Sequence, residues 1–436
     1  MKRKYIFLLT AAVAFYCSVV GNSNAQSFED ALKPFWYPRG FGASSSSLSF
    51  NNTGITRDFT SVSANPANLG LVRRSNAFLS FQAGEFDQYG TLESNNELFG
   101  KDSYFRFDGF GIVYPVPVYQ GSLVFGVAYV PVFQYKYLLS AEGMVSLGAD
   151  TAISLKHTLQ ESGSLYSLRF AGAVELMRDL FLGLSINLYN GYRNSEYTGI
   201  DRDTYDLYYY DYFRRTENFD PSYSGWNISL GMLYNSPLFK LGLKIATPIM
   251  LKVKEKSEFT EFETYDDQSD SSWITTYSIP YDITYPFDIS AGIAFSLLNY
   301  SITLDAAIHM WDGIKFKSNL YDGEIHIDPG INNDLESELH TTMDYGIGFI
   351  IPITVTSKAQ IGLRVIPRPY NNLSNNEKNI NILGIGFENL FENQISVGLS
   401  YQLVTGNQTI YNNYFGTATS QSFQDHQFTI STSILF

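Results

Sequence analysis

Cysteine is nearly absent from this chain of 436 residues: Cys17 is the only one. It lies in an N-terminal apolar run, so the remainder has no thiol for a disulfide framework, a thiolate metal site or a cysteine nucleophile. Charge is scarce as well. Charged residues make up 17%, against roughly 25% in an ordinary soluble domain. Cations are outnumbered, 29 against 43 acids, for a net charge of −14. They form no cluster able to neutralise phosphates, which excludes a nucleic-acid partner. Beyond the N-terminal run no apolar stretch is long enough for a membrane-spanning helix. The five histidines (His157, His309, His326, His340 and His426) are scattered without metal-ligand spacing, so no metal and no other cofactor is expected. Aromatics are what the chain has in plenty, 16% with 32 Tyr and 33 Phe, at a mean hydropathy of −0.10. Such a mixture suits a β-barrel, where lipid-facing and polar residues alternate and average out.

Lys2, Arg3 and Lys4 precede the apolar residues 5–20, and Ser23-Asn24-Ala25 offers a small-residue cleavage site. Residues 1–25 therefore read as a secretory signal peptide. Residues 26–74 are rich in Ser, Asn and Gly and lack a strand pattern; from Asn76 onward, period-2 segments follow one another. Successive side chains of a strand point to opposite faces. Leu182, Leu184, Ile186 and Leu188, for example, alternate with Gly183, Ser185, Asn187 and Tyr189. The longest run places Ile279, Tyr281, Ile283, Tyr285, Phe287, Ile293 and Phe295 on one outward face, with Asp282, Thr284, Asp288 and Ser290 inward.

Fourteen such segments are expected, the first near Asn76 and the last near Ser422, joined alternately by short turns and long loops. Arg178-Asp179 is one of the short turns, and residues 200–222 are one of the long loops. Outer-membrane barrels show this asymmetry, with short periplasmic turns and longer extracellular loops. The sequence thus predicts an all-β fold over residues 75–436, a 14-stranded antiparallel transmembrane β-barrel in the outer membrane of a Gram-negative bacterium. Its last strand alternates through Phe428, Ile430 and Ile434 to the terminal Phe436. That ending looks like the signal read by the barrel assembly machinery.

No catalytic constellation stands out, and an enzyme is not expected. His309 falls on an inward face without a nucleophile elbow or a fixed Ser/Asp partner, so it reads as a hydrogen-bonded filler of the lumen. More informative is the third strand, whose second face carries Val124, Ala128, Val130 and Val132 and is apolar too. Pro131 cannot donate to the ladder, so a bulge, kink or local edge is expected there. Phe110 and Ile112 make the second strand apolar on its inward side as well. Two meanings stay open: packing against the N-terminal segment, or an apolar lumen pocket beside a break in the wall. Inward-assigned cations, Arg106, Arg169, Lys244, Lys252, Lys254 and Arg364, are candidates to hold a ligand carboxylate, or to pair with the lumen acids Asp108, Glu175, Asp282 and Asp344. Tyr208, Tyr209, Tyr210, Tyr212 and Phe213 give one long loop a dense aromatic surface, suited to capturing greasy ligands or to packing loop on loop.

Asn65-Pro66-Ala67-Asn68-Leu69 follows a Gly/Ser-rich stretch and immediately precedes the first strand. It resembles the Asn-Pro-Ala motif in the N-terminal hatch of the FadL family of hydrophobic-compound transporters. The resemblance implies a barrel closed by a hatch over residues 26–74. It implies lipid-like substrates, long-chain fatty acids first among them, captured at extracellular loops. Lateral exit into outer-membrane lipid at the kinked third strand follows from it too. The same barrel type also serves as a scaffold in type IX protein secretion. The alternative function is therefore a non-transporting barrel that binds a secretion or surface partner.

Overall fold

The structure, a computed structural model, describes residue 35 and residues 40–55, 58–92, 97–148, 151–203, 209–297, 300–318, 330–371, 373, 377–412 and 417–436. The expected signal peptide, Cys17 and Tyr208 lie outside the described residues. One antiparallel sheet contains every named strand. Its first members are β1 (Asn76–Leu92), β2 (Glu97–Val116), β3 (Leu123–Gly148), β4 (Thr151–Met177), β5 (Leu180–Arg202) and β6 (Tyr210–Phe219). Then come β7 (Ser222–Asn235), β8 (Phe239–Ala246), β9 (Ile249–Tyr265), β10 (Asp270–Tyr285), β11 (Asp288–Leu297) and β12 (Tyr300–Met310). The last six are β13 (Lys315–Ser318), β14 (Thr341–Pro352), β15 (Ser357–Pro367), β16 (Asn379–Phe391), β17 (Ile395–Asn412) and β18 (Thr417–Leu435). β1 pairs with both β2 and β18, which closes the sheet into a barrel.

The count of fourteen is thereby corrected to eighteen strand segments. β6 forms where a loop was expected. Proline divides two of the expected strands, at Thr247–Pro248 between β8 and β9 and at Pro286–Phe287 between β10 and β11. A turn at Trp311–Gly313 separates β12 from β13. Because proline has no amide to donate, the ladder stops and restarts at these points. β7 changes partner accordingly, pairing with β8 from Ser229 to Asn235 and with β9 from Ser222 to Trp226.

Away from the breaks the expected alternation holds. Along β5, Leu182, Leu184, Ile186 and Leu188 are exposed on the outer surface, while Gly183, Ser185, Asn187 and Tyr189 are buried. Each break shifts the phase by one residue, which sends every following side chain to the other face. Hence Ile279, Tyr281, Ile283 and Tyr285 are buried, contrary to the outward face expected for them, whereas beyond Pro286 the face of Phe287, Ile293 and Phe295 points out as expected. Leu251 and Val253 turn inward after Pro248, which leaves Lys252 and Lys254 exposed rather than lumenal. These inward apolar residues join Phe133, Tyr135, Leu165 and Trp311 in one cluster.

Residues 40–55 and 58–72 run inside the barrel and are tied to opposite walls. Gly42 N donates to Asp108 on β2 (2.8 Å), and Gln402 on β17 donates to Ser46 O (3.0 Å). Asn51 donates to Leu363 O on β15 (2.8 Å), and Thr53 N to Asp305 on β12 (2.8 Å). Glycines in the wall give the segment room. Gly242 and Gly292, paired across β8 and β11, lie against Thr53 and Gly54, where a Cβ on either would meet backbone. Asp108, Asp305 and Gln402 in the lumen thus find their partners in this segment.

Candidate functional site

The internal segment separates two cavities. The one nearer the short turns, about 430 Å³, is lined by Asp58, Lys240, Lys358, Glu388 and several serines. The other, about 220 Å³, lies toward the long loops and has two kinds of wall. Phe35, Val132, Tyr189, Ile249, Tyr285 and Trp311 form its apolar side, and Arg169, Lys244, Asp288, His309 and Arg364 its charged side. The strand breaks create the apolar wall. Trp311, placed by the turn after β12, donates its indole N–H to Thr342 (2.8 Å), and the phase shift at Pro286 turns Tyr285 inward against Phe35 (ring centroids 4.6 Å).

The charges form a chain. Arg364 meets Asp344 through Nε (3.0 Å) and Nη2 (2.9 Å), and its Nη1 donates to Phe50 O on the internal segment (3.1 Å). His309 bridges onward, Nε2 lying 3.5 Å from Asp344 and Nδ1 2.6 Å from Asp288. Arg169 donates to the Ser63 hydroxyl (2.7 Å). Lys244 faces the same cavity with no ion pair within 4.0 Å among the described residues. A cation that makes no direct ion pair, beside an aromatic wall, can receive a ligand that is apolar at one end and anionic at the other.

Beside this cavity the wall is incomplete. β2 and β3 pair from Phe110↔Tyr129 to Val116↔Leu123 and again at Phe99↔Ser140, with no pair between these among the described residues. The gap starts at Pro131, where the β3–β4 register shifts between Pro131 and Phe133 as a bulge. Side chains cross it: Arg106 donates to Gln134, and Lys136 donates to Asp102 O (3.0 Å). Val132, at the bulge, also lines the cavity.

The candidate residues divide as follows. Arg169, Lys244 and Arg364 come together in the cavity, whereas Arg106 sits in the wall gap. Pro131 and Val132 mark the gap, but Ala128 and Val130 lie where the ladder is still closed or just closing, packed against Phe41, Phe59, Val62 and Leu69. That part of the lumen is filled, and of the two meanings left open for it, packing is the one realised. Phe110 and Ile112 point outward, 52% and 54% exposed, contrary to expectation. A bulge opposite Ser80–Phe81, with Gly109 at φ 136°, shifts β2 by one residue just before them.

Asn65, Pro66 and Ala67 are buried at the start of the 3-10 turn Pro66–Leu71. The Asn65 amide donates to Thr53 O and to Met232 O of β7 (both 3.1 Å), and its oxygen accepts from Ala67 N (3.1 Å). Its wall partner is thus β7. Tyr210, Tyr212 and Phe213 belong to β6 rather than to a loop, and Tyr209 stacks on Tyr265 at 5.8 Å. Phe436 is exposed at the end of the closing strand, its N–H donating to Ser75 O (2.9 Å). The sequence did not yield Tyr285, Trp311 and Phe35 as cavity residues; Pro286 within an otherwise perfect alternation was the one signal for Tyr285.

Neither a protein-family model nor a curated protein matches this chain. Solved structures do. A FadL homologue of Pseudomonas aeruginosa is 11% identical, with a TM-score of 0.63 over 91% of this chain and 99% of that one. The Pseudomonas putida toluene transporter TodX is 13% identical, with a TM-score of 0.61 over 92% and 99%. The Ralstonia pickettii toluene transporter TbuX is 12% identical, with a TM-score of 0.60 over 92% and 100%. The chain therefore has the FadL-type outer-membrane barrel fold.

Proposed function

We propose that this barrel lets hydrophobic small molecules diffuse across the outer membrane, with residues 40–72 as its hatch and the long loops on the extracellular side. The ligand enters past the aromatics of β6, rests in the 220 Å³ cavity and leaves sideways through the gap between β2 and β3. One observation carries this reading: Val132 belongs both to the cavity lining and to the unzipped stretch of β3. An apolar ligand there has a path to lipid without crossing water, and its transfer is favoured by the apolar area it buries on either side. The names of the fold neighbours, toluene transporters and a FadL homologue, support hydrophobic compounds as the class. Cations on the cavity floor favour an acid-headed member of that class, such as a long-chain fatty acid.

The test is uptake of a fluorescent fatty acid by cells carrying Val132→Trp, which fills the gap from the cavity side. Uptake should fall severalfold while heat-modifiable migration of the folded barrel is kept. Parental uptake by a folded Val132→Trp protein would remove the sideways route. The non-transporting scaffold would then be the better account.

A further inference from the structure

Four lysines gather on the outer face of the barrel. Lys252 and Lys254 stand on β9, and Lys315 and Lys317 on β13; all four are exposed, between the buried Leu251, Val253, Ile314 and Phe316. β10 runs between the two strands. Lys252 and Lys317 both pair with Asp282 and so flank it in one row, while Lys315 pairs with Thr284 and Lys254 with Pro280. Strands in a sheet lie about 4.8 Å apart, which puts the backbones of Lys252 and Lys317 about 10 Å from one another. On its other side β9 pairs with the exposed, uncharged Ser222 and Ser224 of β7. None of the four lysines makes an ion pair within 4.0 Å among the described residues.

This runs against the composition. The chain carries 43 acids to 29 cations, yet among the described residues Asp282 is the one acid in these rows. Other acids sit at the margins: Asp220 exchanges backbone hydrogen bonds with Lys256, and Asp312 accepts from Thr341 (3.0 Å). The apolar belt sets the height of the patch. Met250 and its partner Trp226 on β7 face outward, 55% and 49% exposed. The next outward residues on β9 are Lys252, Lys254 and Lys256. The lysines therefore begin where the belt ends, at the level where lipid tails give way to headgroups. A lysine at that level reaches the headgroups with its ammonium while its stem lies along apolar surface.

We propose that this patch binds the headgroup of an outer-leaflet lipid that carries more than one phosphate, with its acyl chains along the belt below. The inference rests on the membrane placement proposed above, long loops outward, and not on transport. Each lysine near the membrane surface adds to the attraction for an anionic headgroup. One phosphate engages one side of Asp282. Two phosphates about 10 Å apart engage both sides and avoid the carboxylate between them.

The probes are lipid A, which has two phosphates, the same lipid dephosphorylated, and phosphatidylglycerol, which has one. Each is titrated into the dye-labelled full-length protein in neutral detergent with a metal chelator, and binding is followed by microscale thermophoresis. Lipid A should bind more tightly than either other lipid. Lys252→Gln/Lys254→Gln/Lys315→Gln/Lys317→Gln should weaken it about tenfold or more, and about 0.5 M salt should weaken the parent complex as well. Asp282→Asn should tighten it severalfold, a change of opposite sign that misfolding does not produce. Heat-modifiable migration checks the fold of each variant. The proposal is overturned if the dephosphorylated lipid binds equally, since acyl chains then suffice, or if phosphatidylglycerol does. Parental affinity in the folded quadruple variant overturns it too. None of these measurements reads uptake, so a barrel that fails the Val132→Trp test can still pass this one.

Discussion

Gly183 of β5 and Gly231 of β7 are paired across the ladder, and the backbone of Asn65–Ala67 fills the space their side chains would occupy. A Cβ on Gly183 would fall on Ala67 N, and one on Gly231 on the Asn65 oxygen, both far inside van der Waals contact. The Asn-Pro-Ala turn is therefore seated by the wall as much as by its own hydrogen bonds. Gly231→Val should unseat it, at a cost of about 1–3 kcal/mol for overpacking, while the outer ladder persists. Conductance in planar bilayers should rise relative to the parent barrel. An unchanged trace from a folded variant would mean that the turn is held elsewhere.

Much of this was legible in the sequence, because lipid outside and a filled lumen inside impose a strict period of two. The barrel class, the short turns, the closing strand and the inward placement of Arg169, Lys244 and Arg364 all follow from that period. What escaped it are the places where the period slips by one residue: the bulge beside Gly109, the bulge at Pro131, and the breaks at Pro248 and Pro286. An apolar–apolar alternation reads the same in either phase, so Phe110 or Tyr285 cannot reveal its own face. Pairing partners decide it. The same slips produced the error over Lys252 and Lys254 and built the aromatic wall of the cavity.

Arg364 holds Asp344 and the internal segment at once. Arg364→Met leaves Asp344 with His309 alone and frees Phe50 O. Breaking one side of a buried pair destabilises by about 3–5 kcal/mol. The double change Arg364→Met/Asp344→Leu should recover part of that by removing the stranded carboxylate. Hydrogen exchange over residues 46–54 reads the effect locally: fast in the single variant, slower in the double one. Equal exchange in both would assign the loss to Phe50 rather than to the ion pair.

Asp58 brings pH dependence to the internal segment. It lines the cavity near the short turns, facing the Lys358–Glu388 pair (2.9 Å), and its backbone neighbour Thr60 donates to it (2.8 Å). Burial, reinforced by the Glu388 charge, raises its pKa above the ordinary 3.8. A raised carboxyl favours the neutral form in the folded state. Its stabilising contribution is complete below the unfolded value and is lost as pH rises through the folded one. The segment around Asp58 should therefore exchange amide hydrogens faster at pH 7 than just below pH 4, after correction for intrinsic rates. Asp58→Asn should slow exchange at pH 7 and flatten the profile. A profile that the substitution leaves unaltered would locate the titration in another group.

Lys244 separates an acid-headed ligand from a neutral one. It faces the cavity without an ion-pair partner within 4.0 Å among the described residues, while Arg364 is engaged by Asp344 and Arg169 by Ser63. A carboxylate entering the cavity gains most from the cation that has no direct ion pair or hydrogen bond to break. A charge-assisted hydrogen bond contributes about 1.5–3 kcal/mol, which corresponds to roughly a ten- to hundredfold change in Kd. Lys244→Met should thus weaken a fluorescent fatty acid by that factor and leave toluene binding nearly unchanged, since the apolar wall of Val132, Tyr285 and Trp311 is intact. Arg106→Met is the internal control: Arg106 bonds Gln134 across the wall gap, outside the cavity lining, so its loss should leave fatty-acid affinity at the parental level. Equal weakening of both ligands by Lys244→Met would mean that the side chain shapes the cavity rather than reading a charge. Neutral aromatic compounds would then become the better substrate class.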